Sequence, residues 1–228
     1  MKQTLITECE RLGIALTQAQ IDRFCAFGEA LLEKNKVMNL TAITEPDAVA
    51  KLHFADCLAL LHVVDCRNKS VIDVGCGAGF PGVPMKLGEP SIRLTLLDSL
   101  QKRVNWLRET LDNLGVEATC VAARAEEYAA REQFDIATSR AVARLNILAE
   151  LCFPFVKVGG YFLAMKGAAA EAELEEAKHA LNLLGGEVER VAAYEIDGAL
   201  HRVVVVRKVR PTPSAYPRRF AKIKQQPL

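Results

Sequence analysis

Long apolar runs are missing from this chain: no uninterrupted stretch approaches the roughly 20 residues that a helical membrane span requires. The opening residues, Met1-Lys2-Gln3-Thr4, lead into a polar amphipathic segment with Glu8, Glu10 and Arg11 rather than a secretory leader, so a cytoplasmic protein without membrane contact is expected. No two of the seven cysteines (9, 25, 57, 66, 76, 120 and 152) have Cys-x-x-Cys spacing, and their number is odd. A disulfide framework and a zinc site are therefore not expected, and buried reduced thiols are. The four histidines are scattered, so no metal site is expected; His62, His179 and His201 read as solvated or packed. Excess charge is also lacking: the formal net charge of +1 argues neither for nor against a nucleic-acid partner, because distribution matters more than the sum. Internal repeats and low-complexity stretches are absent. The 228 residues suffice for one medium domain with its own core, and a monomer is expected.

What is present divides in three. Residues 1–65 read as an N-terminal helical cap. Thr17 and Gln20 form a capping box, after which Ile21, Phe24, Cys25, Gly28, Leu31 and Leu32 recur on one helical face. Asn39-Leu40-Thr41-Ala42 interrupts, and Thr44 with Pro46 restarts a helix bearing Val49, Leu52, His53 and Asp56. Residues 66–210 alternate short apolar strands (71–74, 93–97, 117–122, 134–138, 161–165) with amphipathic helices (102–114, 145–155, 169–184). Gly159-Gly160 reads as the link into the fifth strand, and Gly185-Gly186 as a helix C-cap. The segment closes with 188–196 and 201–208 around Asp197-Gly198, a hairpin signal. This is the signature of an α/β fold: a mostly parallel, doubly wound sheet with one reversed strand in a terminal antiparallel hairpin. Residues 211–228 form a basic tail belonging to the same compact unit.

The first strand ends in Gly75-Cys76-Gly77-Ala78-Gly79, and Pro81 stands where the next helix begins. Glycines permit a sharp turn and close approach of a ligand, and amides at the helix start would face its polar groups. Asp98 ends the second strand about 20 residues on, where a carboxylate can accept both ribose hydroxyls of an adenosine. Gly77 to Gly82 also fits the dinucleotide pattern GxGxxG. Two features favour S-adenosylmethionine over NAD. Asp73 inside the first strand can meet the ammonium end of a methionine moiety, and the terminal hairpin is typical of Rossmann-like class I methyltransferases. Cys76, with no histidine beside it in sequence, reads as a small filler and not as a nucleophile.

Several segments together, namely Asn39-Leu40-Thr41, His53-x-x-Asp56, Val71 through Gly82, and Leu96-Leu97-Asp98-Ser99, resemble the bacterial 16S ribosomal RNA (guanine-N7) methyltransferase family, RsmG/GidB (glucose-inhibited division protein B). Arg124-Ala125-Glu126-Glu127, Phe134-Asp135 leading to Ser139-Arg140-Ala141, and Met165-Lys166-Gly167 extend the resemblance over roughly residues 17 to 210. It implies methylation of a guanine in 16S rRNA of the 30S subunit or its assembly intermediate. It further implies S-adenosylmethionine contacts at Gly75, Phe80, Ala125, Glu126 and Arg140. The chain departs from many relatives at Phe220-Ala221-Lys222-Ile223, where a Gly and a Pro are missing.

Guanine N7 carries a free lone pair, so its methylation needs alignment and not a proton-abstracting base. Arg140 and Lys166 lie just beyond strand ends and are the candidates for positioning substrate. His53 and Asp56, at i, i+3 spacing, are expected to form an ion pair fastening the cap. Trp106 is expected in packing. Past Asp197 eight cations (Arg202, Arg207, Lys208, Arg210, Arg218, Arg219, Lys222, Lys224) follow without one acid, a field suited to RNA phosphates; Tyr216 and Phe220 among them could stack on bases. The alternative is a solvated, disordered tail. Glu171, Glu173, Glu175 and Glu176 read as a solvated face. Competing functions are a methyltransferase of small molecules or proteins, a nucleotide-binding oxidoreductase, and a non-catalytic RNA-binding module.

Overall fold

The computed structural model describes residues 1–140 and 143–228; Ala141, the end of the Ser-Arg-Ala segment, lies outside the described residues. Helices α1 (Lys2–Arg11) and α2 (Gln18–Met38) open the chain. The capping box forms as expected: Thr17 accepts from the Gln20 amide, and the Gln20 side chain accepts from the Thr17 amide. Asn39 ends α2 in the left-handed region (φ 49°). The Asn35 carboxamide then holds the next turn, accepting from the Leu40 and Thr41 amides at 2.6 and 2.9 Å. Pro46 starts α3 (Pro46–Val49), which runs through a π-helical turn (Ala50–Ala55) into α4 (Asp56–Leu58) and a 3₁₀ turn (Ala59–His62).

Seven strands follow: β1 (Ser70–Val74), β2 (Arg93–Asp98), β3 (Thr119–Ala122), β4 (Phe134–Ser139), β5 (Val156–Lys166), β6 (Gly186–Ile196) and β7 (Ala199–Lys208). They form one sheet in the order β3-β2-β1-β4-β5-β7-β6. Parallel pairing holds from β3 to β5, and β7 alone is reversed, antiparallel to both neighbours. Gly159-Gly160 is not a link before β5. Val156 pairs with Phe134 and Tyr161 with Ile136, so the two glycines lie in an irregularity inside a longer strand.

Both faces of the sheet are covered. Val203 and Val205 of β7 join one core with Phe24, Phe27, Phe54 and Trp106, while Val204 and Val206 join the other. A strand buried on both sides reads as a continuous apolar run, which is why Val203 through Val206 shows no alternation. The first face carries the N-terminal helices with α5 (Gly82–Gly88) and α6 (Gln101–Asn113). The second carries α7 (Leu145–Cys152) and α8 (Ala170–Leu183). Phe27, absent from the sequence-read helical face, is fully buried and stacks on Trp106 at 6.2 Å between centroids.

The tail is docked. Arg218 gives its amide, Nε and Nη2 to the fully buried Glu150 of α7 at 2.6–2.8 Å. Asn146 donates to the Leu228 carbonyl at 3.0 Å, and the last helix, α9 (Phe220–Gln225), buries Ile223. Three of the eight cations after Asp197 have acids supplied from upstream: Arg202 pairs with Glu171, Lys208 with Glu132, and Arg218 with Glu150. On α8, Glu171, Glu175 and Glu176 are exposed, as expected of a solvated face, while Glu173 is half-buried against Lys166.

Candidate active site

The order of the sheet reverses between β1 and β4, and at the carboxyl ends of these strands open α/β sheets bind their ligands. The glycine loop lies there. Gly77 adopts φ +57°, and a side-chain carbon at this position would meet no atom within 4 Å, so the backbone borders open space. At Gly82 the constraint is the reverse: a Cβ would come within 3.0 Å of Asp73 and 2.8 Å of Leu96. That closeness lets the Gly82 amide donate to Asp73 Oδ2 at 2.8 Å.

The loop amides do not face outward as the sequence suggests. Gly75 and Cys76 donate to the Leu97 carbonyl at 2.8 and 3.1 Å, and Gly79 and Phe80 to the Cys76 carbonyl at 2.8 and 3.0 Å. Gly77 donates to Asp98 Oδ2 at 2.9 Å. A pyrophosphate needs unpaired amides at this position; here six of them have protein acceptors. The loop is built to border a ligand without binding phosphate through those groups.

Asp98 also accepts from the Leu100 amide through Oδ1 at 2.8 Å. Each oxygen of the ribose-binding candidate therefore already holds one backbone hydrogen, leaving its remaining lone pairs for a ligand. Asp73 is fully buried, and burial pushes its carboxyl up to about 7; Oδ1 has no hydrogen-bond partner among the described residues. A buried carboxylate oxygen in that state fits a neighbouring cation such as the ammonium of S-adenosylmethionine. Cys76 is 2% exposed and burial drives its thiol well above the usual range, the state of an inert packing group. Ala125 and Glu126 open a 3₁₀ turn (Ala125–Glu127) after β3, with Arg124 3.5 Å from Glu126.

At the end of β4, Arg140 is gripped by the N-terminal layer. Its Nη1 donates to the Leu52 carbonyl and Asp56 Oδ2 at 3.2 and 3.3 Å, and its Nη2 approaches His53 Nδ1 at 3.0 Å. Arg140 also covers the Phe80 ring at 4.7 Å, and His53 stacks on that ring at 4.5 Å. Since a guanidinium only donates, Nδ1 of His53 must accept, which leaves Nε2–H for Thr41 Oγ1 at 2.8 Å. Burial, then the Arg140 charge, lower the His53 pKa to about 4, so the ring is neutral. The expected His53–Asp56 ion pair is thus not formed. Both residues turn to Arg140 because the π-helical turn (Ala50–Ala55) delivers them to the sheet edge.

Asp56 is the hub. Its Oδ1 accepts from the Tyr194 hydroxyl at 2.9 Å and meets His201 Nδ1 at 2.7 Å. His201, read from sequence as solvated or packed, belongs to this cluster; so does Tyr194, which no sequence signal marked. With Arg140, Met165 and Lys166 these residues line a cavity of about 220 Å³ at the carboxyl ends of β4, β5 and β6. Lys166 lines it from a fixed position, its Nζ held by the Ala143 carbonyl at 2.6 Å and Glu173 at 2.8 Å.

A reversed β7 between β5 and β6, with a glycine loop at the β1/β4 switch, defines the class I S-adenosylmethionine-dependent methyltransferase fold. Solved structures of that fold superpose: a SAM-dependent methyltransferase from Aquifex aeolicus (TM-score 0.55, 16% identity, 77% of this chain and 97% of that one), and M. jannaschii TYW2 in complex with AdoMet (TM-score 0.54, 16% identity, 63% and 69%). Residues 20–201 match the family GidB, rRNA small subunit methyltransferase G, and the chain belongs to that family. Similar relatives include the ribosomal RNA small subunit methyltransferase G of Clostridium kluyveri, 41% identical over 97% of this chain and 96% of that protein, and that of Acetivibrio thermocellus, 41% identical over 100% and 97%.

Proposed function

We propose that this protein transfers a methyl group from S-adenosylmethionine to N7 of a guanine in the 16S rRNA of the small ribosomal subunit. Membership of the family supports the substrate class, and one observation of geometry carries the site. Arg140, clamped over Phe80 by His53 and Asp56, separates the glycine-loop cradle from the 220 Å³ cavity at the β4–β5 edge. The cradle is the cofactor side and the cavity the side for the target base.

Asp73, Gly75, Gly77, Phe80, Asp98, Ala125, Glu126 and Arg140 would hold the cofactor. Bound there, S-adenosylmethionine supplies an electrophilic methyl group on a sulfonium. The protein's own part is orientation. Asp98 keeps the loop closed against β2 through Gly77, and its remaining lone pairs would be left for the ribose; Asp73 would offer a counter-charge to the ammonium. Arg140 and Lys166 would bound the base edge with the N–H groups that their protein partners leave over, and no residue need remove a proton, because N7 presents a lone pair at neutral pH. Neutral His53 fits this scheme as a support for Arg140 and not as a base.

The tail supports an RNA partner. Phe220 lies beneath Arg124 at 5.8 Å, placing α9 beside the turn after β3. Arg219, Lys222 and Lys224 are exposed there and available to phosphates. We read residues 1–65, 66–210 and 211–228 as cap, methyltransferase core and tail of one monomeric unit.

Purified protein, radiolabelled S-adenosylmethionine and 30S subunits lacking the modification test this reading. Label recovered as 7-methylguanosine at one position is expected. Label absent from RNA while the cofactor still binds overturns the assignment.

A further inference from the structure

The other polar groups lining the 220 Å³ cavity already have protein partners. The Tyr194 hydroxyl donates to Asp56, Lys166 is held by Ala143 and Glu173, and Arg140 bonds Leu52 and Asp56 and meets His53. His201 is different. Its Nδ1 is fixed 2.7 Å from Asp56 Oδ1, its side chain is 26% exposed, and Nε2 has no hydrogen-bond partner among the described residues. Because Asp56 only accepts, Nδ1 carries a hydrogen, and Nε2 becomes a donor when the ring is cationic. The hydrogen bond to Asp56 raises the His201 pKa. Facing it are Asp56 from the N-terminal layer, Arg140 from just beyond β4, which opposes protonation, Lys166 from β5, neutralised by Glu173, and Tyr194 from β6.

The edge of guanine that exposes N7 presents two acceptors, N7 and O6; adenine presents an acceptor and a donor. Once N7 faces the methyl group, O6 is the neighbouring atom, and a donor aimed at it accepts guanine and rejects adenine. We propose that cationic His201, held by Asp56, donates from Nε2 to O6 of the target guanine and is the residue that selects this base. The proposal rests on the reading of the cavity as the base site. Asp56 offsets only one of the two cations it touches, Arg140 and protonated His201, so the bond to O6 has to outweigh one net positive charge beside a base that turns positive on methylation.

The test uses the full-length protein and small subunits reconstituted with rRNA carrying either guanine or 2-aminopurine, which lacks O6, at the methylated position. Wild type should prefer guanine by about 10–100-fold in kcat/KM, the range of one hydrogen bond from a charged group. His201→Phe should lower the guanine rate by a similar factor and leave the 2-aminopurine rate unchanged, so that the preference disappears. His201→Gln, which keeps a neutral donor, should recover part of the guanine rate. The wild-type kcat/KM should fall as pH rises through the raised His201 pKa, and that of His201→Gln should not. Equal losses on both substrates, or an identical pH profile in His201→Gln, overturn the proposal while leaving the reading of the site intact. Absence of methyl transfer to guanine by wild type overturns that reading and the proposal with it. Unchanged S-adenosylmethionine binding by both variants checks that they fold, and the pH comparison stands without the Phe variant.

Discussion

Arg140 stacks its guanidinium over the Phe80 ring at 4.7 Å, joining the residue just beyond β4 to the glycine loop, 60 positions earlier in the chain. The contact combines a cation–π attraction of about 0.5–2 kcal/mol with three polar contacts to Leu52, Asp56 and His53. Arg140→Lys keeps the charge but not the planar fork, so its activity should fall nearly as far as that of Arg140→Ala. A loss of roughly 10–100-fold in kcat/KM is expected for both. A lysine variant with wild-type kinetics would show that charge alone matters here.

Asp98 holds the amides of Gly77 and Leu100. Asp98→Ala should weaken S-adenosylmethionine binding by about 10-fold or more, since it loosens the loop and removes the ribose acceptor together. Asp98→Asn keeps one acceptor oxygen and should fall between. Titration calorimetry on the three proteins would reveal whether the order holds.

His53 links stability to pH. Its pKa is about 4 folded, against 6.5 for the free side chain, so between these values the unfolded chain binds the extra proton. The stability it contributes is complete above pH 6.5 and is lost as pH falls towards 4. The loss should be about 2 kcal/mol at pH 5 relative to pH 7.5. Urea unfolding at the two pH values should show this difference in wild type and a smaller one in His53→Gln.

Glu150 is fully buried and Arg218 is its partner across 68 residues of sequence. Arg218→Ala strands the carboxylate and should cost about 3–5 kcal/mol. Replacing both, as Glu150→Gln with Arg218→Ala, should cost less than the single change. Thermal melts of the two variants decide the point; the opposite order would mean that the tail is not anchored through this pair.

Exposed Lys222 and Lys224 lie on α9 and do not anchor it. Changing both to Ala should leave stability unaltered, weaken RNA binding, and reduce the slope of log affinity against log salt by about 1 per lost phosphate contact. An unchanged slope would place the RNA elsewhere.

The sequence alone determined the elements and the ligand loop. Backbone periodicity is local: Thr17 and Gln20 cap a helix, Asp197-Gly198 turns a hairpin, and glycines after β1 leave room for a ligand. Strand alternation then limits the topology, because parallel neighbours require crossovers. Family-bearing residues such as His53, Asp56 and Arg140 were legible as important, but their pairings were not. His53 and Asp56 lie three positions apart and ignore one another, because each finds Arg140 more than 80 residues away. Asp56 further collects Tyr194 and His201, and the basic end of the chain meets its acids in Glu132, Glu150 and Glu171. A charged side chain entering a poorly solvated site takes whichever counter-group packing brings within about 3 Å. Which group that is depends on how the cap, the sheet edge and the tail close on one another, and only the tertiary structure decided it.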